Sequence, residues 1–277
     1  MIARGVGLTI GFIGIGNMGG ARLSGYVAAG SAEDKELMAF DMNSELCERT
    51  KAKIPQLNIC QSGRELCSKS DITILGVKPQ VIESVLEEIA GAYSEEKTVI
   101  SMAAGVNIGL LEKYLGKAAR IIRIMPNTPA KVGEAMVAMC RNDNVDDETF
   151  RLAAQIFSMI GRAEPVDESL MDCVIGVSGS SPAYTYMYIE ALMQAAVDNG
   201  MDAEKARIFA AQAVLGAAKM VLESPESVEQ LRINVCSPNG TTIEAVNKLF
   251  ENGFMDKVKE GFQAAVDRSV EMEKEKQ

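Results

Sequence analysis

"LTIGFIGIGNMGGARLSGYVAAG", residues 8–30, decides the fold. A strand-like apolar run, Leu8–Ile13, passes directly into Gly14-Ile15-Gly16-Asn17-Met18-Gly19, and a helix-like stretch, Gly19–Ala29, follows. A bare G-x-G-x-x-G says little. Between a strand and a helix it is the fingerprint of a parallel α/β unit that holds a dinucleotide. Gly14 permits the tight turn, Gly16 lets the backbone approach a pyrophosphate, and Gly19 lets helix and strand pack closely. The competing reading is a glycine-rich turn with no ligand.

Asp41 ends the second predicted strand, about 20 residues beyond the third glycine, where an acidic side chain accepts hydrogen bonds from ribose hydroxyls. A carboxylate there repels a ribose 2′-phosphate, so Asp41 favours NADH over NADPH. The alternative is Asp41 as N-cap of the helix that starts near Ser44.

Outward from this unit, short apolar runs alternate with amphipathic stretches, the rhythm of a parallel sheet. Strands are expected at Leu8–Ile13, Leu37–Phe40, Asp71–Gly76, Thr98–Ser101 and Arg120–Ile124, with Val132–Met139 and Arg162–Val166 as further candidates. Helices are expected at Ser44–Lys51, Ile82–Ala90 and Asp147–Ile160. After about Pro165 the strand signal fades. Helical segments follow at Pro182–Asn199, Ala203–Glu223, Ser227–Asn234, Thr242–Asn252 and Met255–Lys274, with Asp202 as an N-cap and Gly253 as a stop. The expected division is an α/β domain over residues 1–165 and an all-α domain over residues 166–277. The charged stretch EMEKEKQ, residues 271–277, is expected to fray.

The helical half carries wide apolar faces, YMYIEALMQAAV (186–197) and ARIFAAQAVLGAAKMVL (206–222). Helices apolar over more than one face need neighbours on several sides. A second copy of the chain supplies them economically, although a self-contained helical core is the other solution.

Composition removes whole classes of chemistry. The net charge of −10 argues against a nucleic-acid or anionic-membrane surface. There is no histidine, so no Ser-His-Asp triad, Cys–His pair or histidine-based metal site is available, and no metal is expected. Proton chemistry is left to carboxylates, Lys, Tyr, hydroxyls, thiols, water or the substrate. Cys47, Cys60, Cys67, Cys140, Cys173 and Cys236 form no C-x-x-C pair and read as small hydrophobes in a reducing compartment. Only their even count favours disulfides. No apolar run approaches a membrane span, and MIARGVGLTIGFIGIG lacks the small-residue cleavage site of a signal peptide. A cytoplasmic protein is expected.

Two more loops follow strands, GVKPQ (76–80) and SMAAGV (101–106), at the carboxyl edge where dinucleotides lie. Ala103, Ala104 and Gly105 leave room for a flat ring, and Lys78 either contacts a phosphate or ribose or is a solvated loop lysine. RIMPNTPA (123–130) is a proline-stiffened turn. Finally, VCSPNGTTIEAV (235–246) reads as a turn feeding a helix. It is either a start capped by threonine hydroxyls or an anion cradle of free amides at the positive end of the helix dipole.

Taken in order, GFIGIGNMG, GVKPQ, SMAAGV, RIMPNTPA, SGSSPAY and VCSPNGTTIEAV resemble the motifs of the pyrroline-5-carboxylate reductase family over nearly the whole chain. The resemblance implies a Rossmann domain over 1–165 and an all-α substrate-binding and dimerisation domain over 166–277. It also implies a homodimer that often builds a larger homo-oligomer. The implied reaction is NAD(P)H-dependent hydride transfer to the C=N bond of 1-pyrroline-5-carboxylate, giving L-proline, the last step of proline biosynthesis. Matched by position, Ile13, Gly14, Ile15, Gly16, Asn17, Met18, Gly76, Val77, Lys78, Pro79, Met102, Ala103, Ala104 and Asn234 are implied cofactor contacts. Ser237, Gly240, Thr241, Thr242 and Glu168 are implied substrate contacts, Thr242 facing the ring nitrogen as the catalytic group. The chain departs from the family where Gly63 stands for a frequent asparagine, Asn239 for a glycine and Ser181 for a glycine, and Asp41 departs from members suited to a 2′-phosphate. Two other readings compete: a β-hydroxyacid dehydrogenase using Lys219, whose expected asparagine neighbour is missing, and a non-catalytic dinucleotide sensor.

Overall fold

The computed structural model describes residues 7–16 and 35–276. The expected helix at Gly19–Ala29, with Asn17, Met18 and Gly19, lies outside the described residues. The chain divides into two compact units, one of Met1–Gly179 with Ala265–Gln277 and one of Ser180–Ala264.

The first unit is a sheet covered on both faces. Its strands are β1 (Leu8–Ile13), β2 (Lys35–Phe40), β3 (Asn58–Ile59), β4 (Ile72–Leu75), β5 (Thr98–Ser101), β6 (Arg120–Met125), β7 (Ala135–Arg141) and β8 (Gly161–Pro165), in the order β3-β2-β1-β4-β5-β6-β7-β8. All neighbours run parallel except β6 and β7. Side chains alternate between two cores. Ile122 and Ile124 enter one and Ile121 and Met125 the other, as the period of two in a strand requires. Burial on both sides is why these strands read as near-continuous apolar runs.

Between the strands stand α1 (Ser44–Lys53), α2 (Gly63–Lys69), α3 (Ile82–Ala90), α4 (Ile108–Leu115) and α5 (Asp147–Ser158). Two of these, α2 and α4, are additions to the expected helices. They run seven and eight residues, too short for a helical period to show, and are started by Ser62 and Asn107 accepting from the amides of Glu65 and Leu110. A short helix, α6 (Met171–Val174), and a π-helical turn, Ile175–Gly179, then complete this unit. Val166 N–H donates to Met139 O at 2.9 Å and Met171 is fully buried in the second core. The chain therefore stays with the sheet beyond the point where the strand rhythm stops.

The second unit contains α7 (Ser181–Asp198), α8 (Ala203–Glu223), α9 (Val228–Val235), α10 (Thr241–Glu251) and the start of α11 (Phe254–Lys274). Asp202 caps α8 through the amides of Glu204 and Lys205, as expected. Gly253, at φ 71°, separates α10 from α11. The fraying expected for residues 271–277 is not what the structure shows. Helix α11 continues to Lys274, and its last turn packs on the first unit.

Candidate active site

Strands β2 and β4 flank β1, so the chain leaves β1 towards one side of the sheet and returns on the other. The carboxyl ends of β1 and β4 therefore open a crevice at a topological switch point. Backbone bonds seam its floor: Gly14 N–H donates to Phe40 O at 2.8 Å and Gly76 N–H to Ile13 O at 2.7 Å. Gly14 sits at φ 85°, and a Cβ there would lie 2.8 Å from Val77 Cγ1 and 2.9 Å from the Gly76 carbonyl carbon. Only glycine fits that turn. Gly16, in contrast, has nothing among the described residues within 4 Å of where a Cβ would stand, which fits close approach to its backbone. The crevice encloses about 500 Å³ and is lined by Gly14, Gly16, Asp41, Val77, Lys78 and Glu88, among others.

Asp41 grips the glycine turn. Its Oδ2 accepts the Ile15 amide at 2.9 Å and its Oδ1 accepts the Asn43 amide at 2.9 Å. The helix cap is Asn43, which accepts the Leu46 amide at 3.0 Å, so Asp41 stands in the crevice wall and not at the helix start. Pro79 opens a short 3-10 turn after Lys78, which is exposed. Following β5, Met102 N–H donates to Leu75 O at 3.3 Å, Ala103 is buried, and Gly105 turns the chain at φ 64°. The loops after β1, β2, β4 and β5 thus gather Ile13 to Gly16, Asp41, Gly76 to Pro79 and Met102 to Ala104 at one edge of the sheet. The open backbone at Gly16, the crevice volume and the carboxylate at Asp41 fit a nicotinamide dinucleotide.

Sequence reasoning missed Glu88. Its carboxylate accepts the Arg64 amide at 3.2 Å and lies 3.2 Å from where a Cβ on Gly63 would begin. Because position 63 is glycine, the space a side chain would take is left to a glutamate from α3. A long-range contact of this kind has no local sequence signal.

The helical unit holds the other candidates. Gly240 N–H donates to Ser237 O at 3.0 Å, and Asn239 adopts φ 59°. Helix α10 then begins at Thr241 with Gly240 as its N-cap residue and no side-chain cap. Gly240 has no side chain to cap with, so the first amides of α10 have no N-cap acceptor and are donors available for something else. Ser237 Oγ lies 3.4 Å from where a Cβ on Gly240 would stand, so its hydroxyl borders the same helix start. Asn234 is fixed at both ends of its amide: Nδ2 donates to Glu226 at 3.0 and 3.1 Å, and Oδ1 accepts from Gln230 at 2.7 Å.

Glu168 stands with the sheet unit. Its Oε1 accepts from Arg123 Nη1 at 3.1 Å and from the Ile108 amide at 2.7 Å. Arg123 itself is 2% exposed in β6. Nearby, burial first and the charge of Glu168 second push the Cys140 thiol up to about 12, which keeps it protonated and unreactive at neutral pH. Lys219 pairs on the surface of α8 with Glu223 at 3.6 Å, so the rival dehydrogenase reading gains no buried catalytic lysine. Among the described residues no cluster of carboxylates and thiols could hold a metal ion.

A parallel sheet with a glycine turn at its switch point, an acidic residue ending the second strand and a separate helical unit define an NAD(P)-dependent oxidoreductase. Comparison with known proteins agrees and goes further. Residues 168–272 match the family model described as pyrroline-5-carboxylate reductase dimerisation, and residues 9–105 match NADP oxidoreductase coenzyme F420-dependent. The chain is 41% identical over 265 residues to pyrroline-5-carboxylate reductase of Escherichia coli (strain K12), covering 96% of this chain and 98% of that one. It is 41% identical over 266 residues to the Methanosarcina acetivorans enzyme of the same name, covering 96% and 97%. The crystal structure of Plasmodium falciparum pyrroline carboxylate reductase with NADP bound superposes with a TM-score of 0.86 at 33% identity, covering 96% of this chain and 98% of that one. This chain belongs to the pyrroline-5-carboxylate reductase family.

Proposed function

We propose that this chain reduces the C=N bond of 1-pyrroline-5-carboxylate to give L-proline, with NADH as the preferred reductant. The carrying observation is the α10 start without a side-chain cap, with the Ser237 hydroxyl beside it. The substrate is a cyclic imine bearing a carboxylate. The amides of Thr241 and Thr242 and the Ser237 hydroxyl hold that carboxylate at the positive end of the helix dipole, while Gly240, its own amide tied to the Ser237 carbonyl, shapes the turn beneath it. The Thr242 hydroxyl hydrogen-bonds the ring nitrogen and fixes the orientation of the reacting carbon. The imine nitrogen takes its proton from solvent near neutral pH, so the absence of histidine costs nothing.

Ile13 to Met18, Asp41, Gly76 to Pro79, Met102 to Ala104 and Asn234 hold the dinucleotide, and Glu168 serves the substrate side. When bound, the reduced nicotinamide supplies a hydride to the iminium carbon. The chain's own task is positioning and charge complementarity. The helical unit binds substrate and pairs as a homodimer, which builds further homo-oligomers. The six cysteines are all free, which supports a reducing, cytoplasmic setting. No helix among the described residues is long and apolar enough to cross a membrane.

Turnover of pyrroline-5-carboxylate with each reduced dinucleotide tests the reading. Thr242→Ala is expected to lower kcat/KM for the imine about tenfold to a hundredfold, the loss of one oriented hydrogen bond, while dinucleotide affinity holds. Unchanged turnover removes Thr242 from the mechanism. Asp41→Asn keeps an acceptor for the Ile15 amide and removes the charge. It is expected to move the NADPH:NADH ratio of kcat/KM about tenfold towards NADPH. A wild-type enzyme that already prefers NADPH defeats the assignment of Asp41.

A further inference from the structure

The end of α11 is fastened to the sheet unit at four places. Ser269, 4% exposed, donates through Oγ to Asp172 Oδ1 at 2.5 Å. Met272 lies against Gly105, where an added Cβ would stand 2.9 Å from Met272 Cβ and 3.5 Å from the Glu273 amide nitrogen. Glu273 Oε1 accepts from Arg123 Nη2 at 2.8 Å. The Lys276 ammonium donates to the Pro79 carbonyl. Residues 269, 272, 273 and 276 follow the i, i+3, i+4, i+7 spacing of one helix face.

Two of these contacts fall on loops at the carboxyl edge of the sheet, one of which, 76–80, lines the crevice. Pro79 belongs to the 76–80 loop after β4, and Gly105 belongs to the 101–106 loop after β5. The other two anchor the strap itself. Arg123 is buried in β6 and shares its guanidinium between Glu273 and Glu168, which also accepts the first amide of α4. A buried guanidinium stranded by loss of one partner is costly, so this anchor holds the strap in one place. The strap's contacts at Gly105 and Pro79 then restrict how far either loop can relax.

We propose that residues 269–276 form a clamp that holds the 76–80 and 101–106 loops in the shape that accepts the dinucleotide, with Glu273, Lys276 and Arg123 as positioning residues. The idea rests on the reading that these loops contact the cofactor. Its energetic content is preorganisation: loops already fixed lose less freedom when the cofactor binds. The clamp therefore acts on cofactor affinity and leaves the chemistry of the imine alone.

Glu273→Gln and Lys276→Met, singly and together in the full-length chain, test it, with Lys276→Arg as the conservative control. Amide hydrogen exchange without cofactor is expected to quicken about tenfold across residues 102–106 and 78–81 in the double variant. The equilibrium Kd for NADH, measured by titration, is expected to rise about tenfold, together with the KM for NADH. The KM for the imine and kcat should stay within about twofold of wild type, and Lys276→Arg should match wild type throughout. Unchanged loop exchange with unchanged NADH Kd overturns the clamp. So does a uniform fall in both affinities, kcat and thermal stability, which marks a merely structural contact. If Glu273→Gln does not fold, Lys276→Met decides alone, because it removes the hydrogen bond to the Pro79 carbonyl and leaves the buried Arg123 pairs in place. If wild type binds neither dinucleotide, the cofactor reading fails while loop exchange still judges the clamp.

Discussion

The two units solve the same problem in opposite ways. In the sheet unit, β1, β4 and β5 are buried along their whole length. In the helical unit, α7, α9 and α10 bury no residue, and α8 buries only Ala206 and Ala210. The apolar side chains exist in both units but are satisfied within the chain in only one. Ile208, Leu215 and Leu222 recur every seventh residue along α8, and they are 53%, 57% and 72% exposed. A contiguous exposed apolar stripe of this kind marks an association surface, and it lies within the residues matched by the dimerisation family model. One unit closes its core within the chain, and the other leaves apolar surface uncovered.

The largest expected effect breaks that contrast at its weak side. Ile208→Asp with Leu215→Asp places two unpaired charges in the association surface and should weaken self-association by more than about a thousandfold, or about 4 kcal/mol. Sedimentation should show smaller species with little reductase activity. An unchanged sedimentation coefficient would mean that the stripe faces water after all. Next comes the closed core. Ile122→Ala, at a fully buried position in β6, should lower unfolding free energy by about 3 kcal/mol. Urea denaturation should report that loss while the oligomer stays intact. If the assembly dissociates as well, the units are not independent.

The smallest effect sharpens the comparison at a helix start. Asp146 caps α5, accepting the Thr149 amide at 2.7 Å, and pairs with Arg120. The amide bond first, and then Arg120, hold its carboxyl at about 2, below the usual 3.8. Because the folded value is the lower one, its stabilisation is complete above about pH 4 and is lost as pH falls through about 2. Asp146→Ala should cost about 1 kcal/mol at neutral pH. The gap from wild type should close towards pH 2 in acid-unfolding curves. A gap independent of pH would assign the loss to helix propensity and not to the charge.

Much of this was readable in the chain because it is local. β1, the Gly14 turn, the Asp202 cap and the Gly253 stop each rest on a few adjacent residues whose types dictate the backbone. The α10 start was readable only as two alternatives, and the backbone adds that Gly240, which has no side chain to cap with, stands at the N-cap position. The tail was misread because its packed face is written in Ser269, Glu273 and Lys276, with only Met272 apolar. A hydrophobic period does not register a face held by hydrogen bonds and charge. Arg123 and Glu273 are 150 residues apart, and Glu88 reaches the Arg64 amide from another helix. No window along the sequence joins such pairs. β3, only two residues long, is set by pairing with β2 and not by its own composition.

Asp41 carries a consequence for any substitution meant to favour a phosphorylated cofactor. Its two oxygens already hold the amides of Ile15 and Asn43, so it fastens the glycine turn whichever dinucleotide binds. A replacement chosen only for charge, such as lysine or arginine, would unlatch that turn and weaken both cofactors together. Conversion therefore calls for two coordinated changes: a cation to meet the added phosphate and a neighbouring acceptor to keep Ile15 tethered.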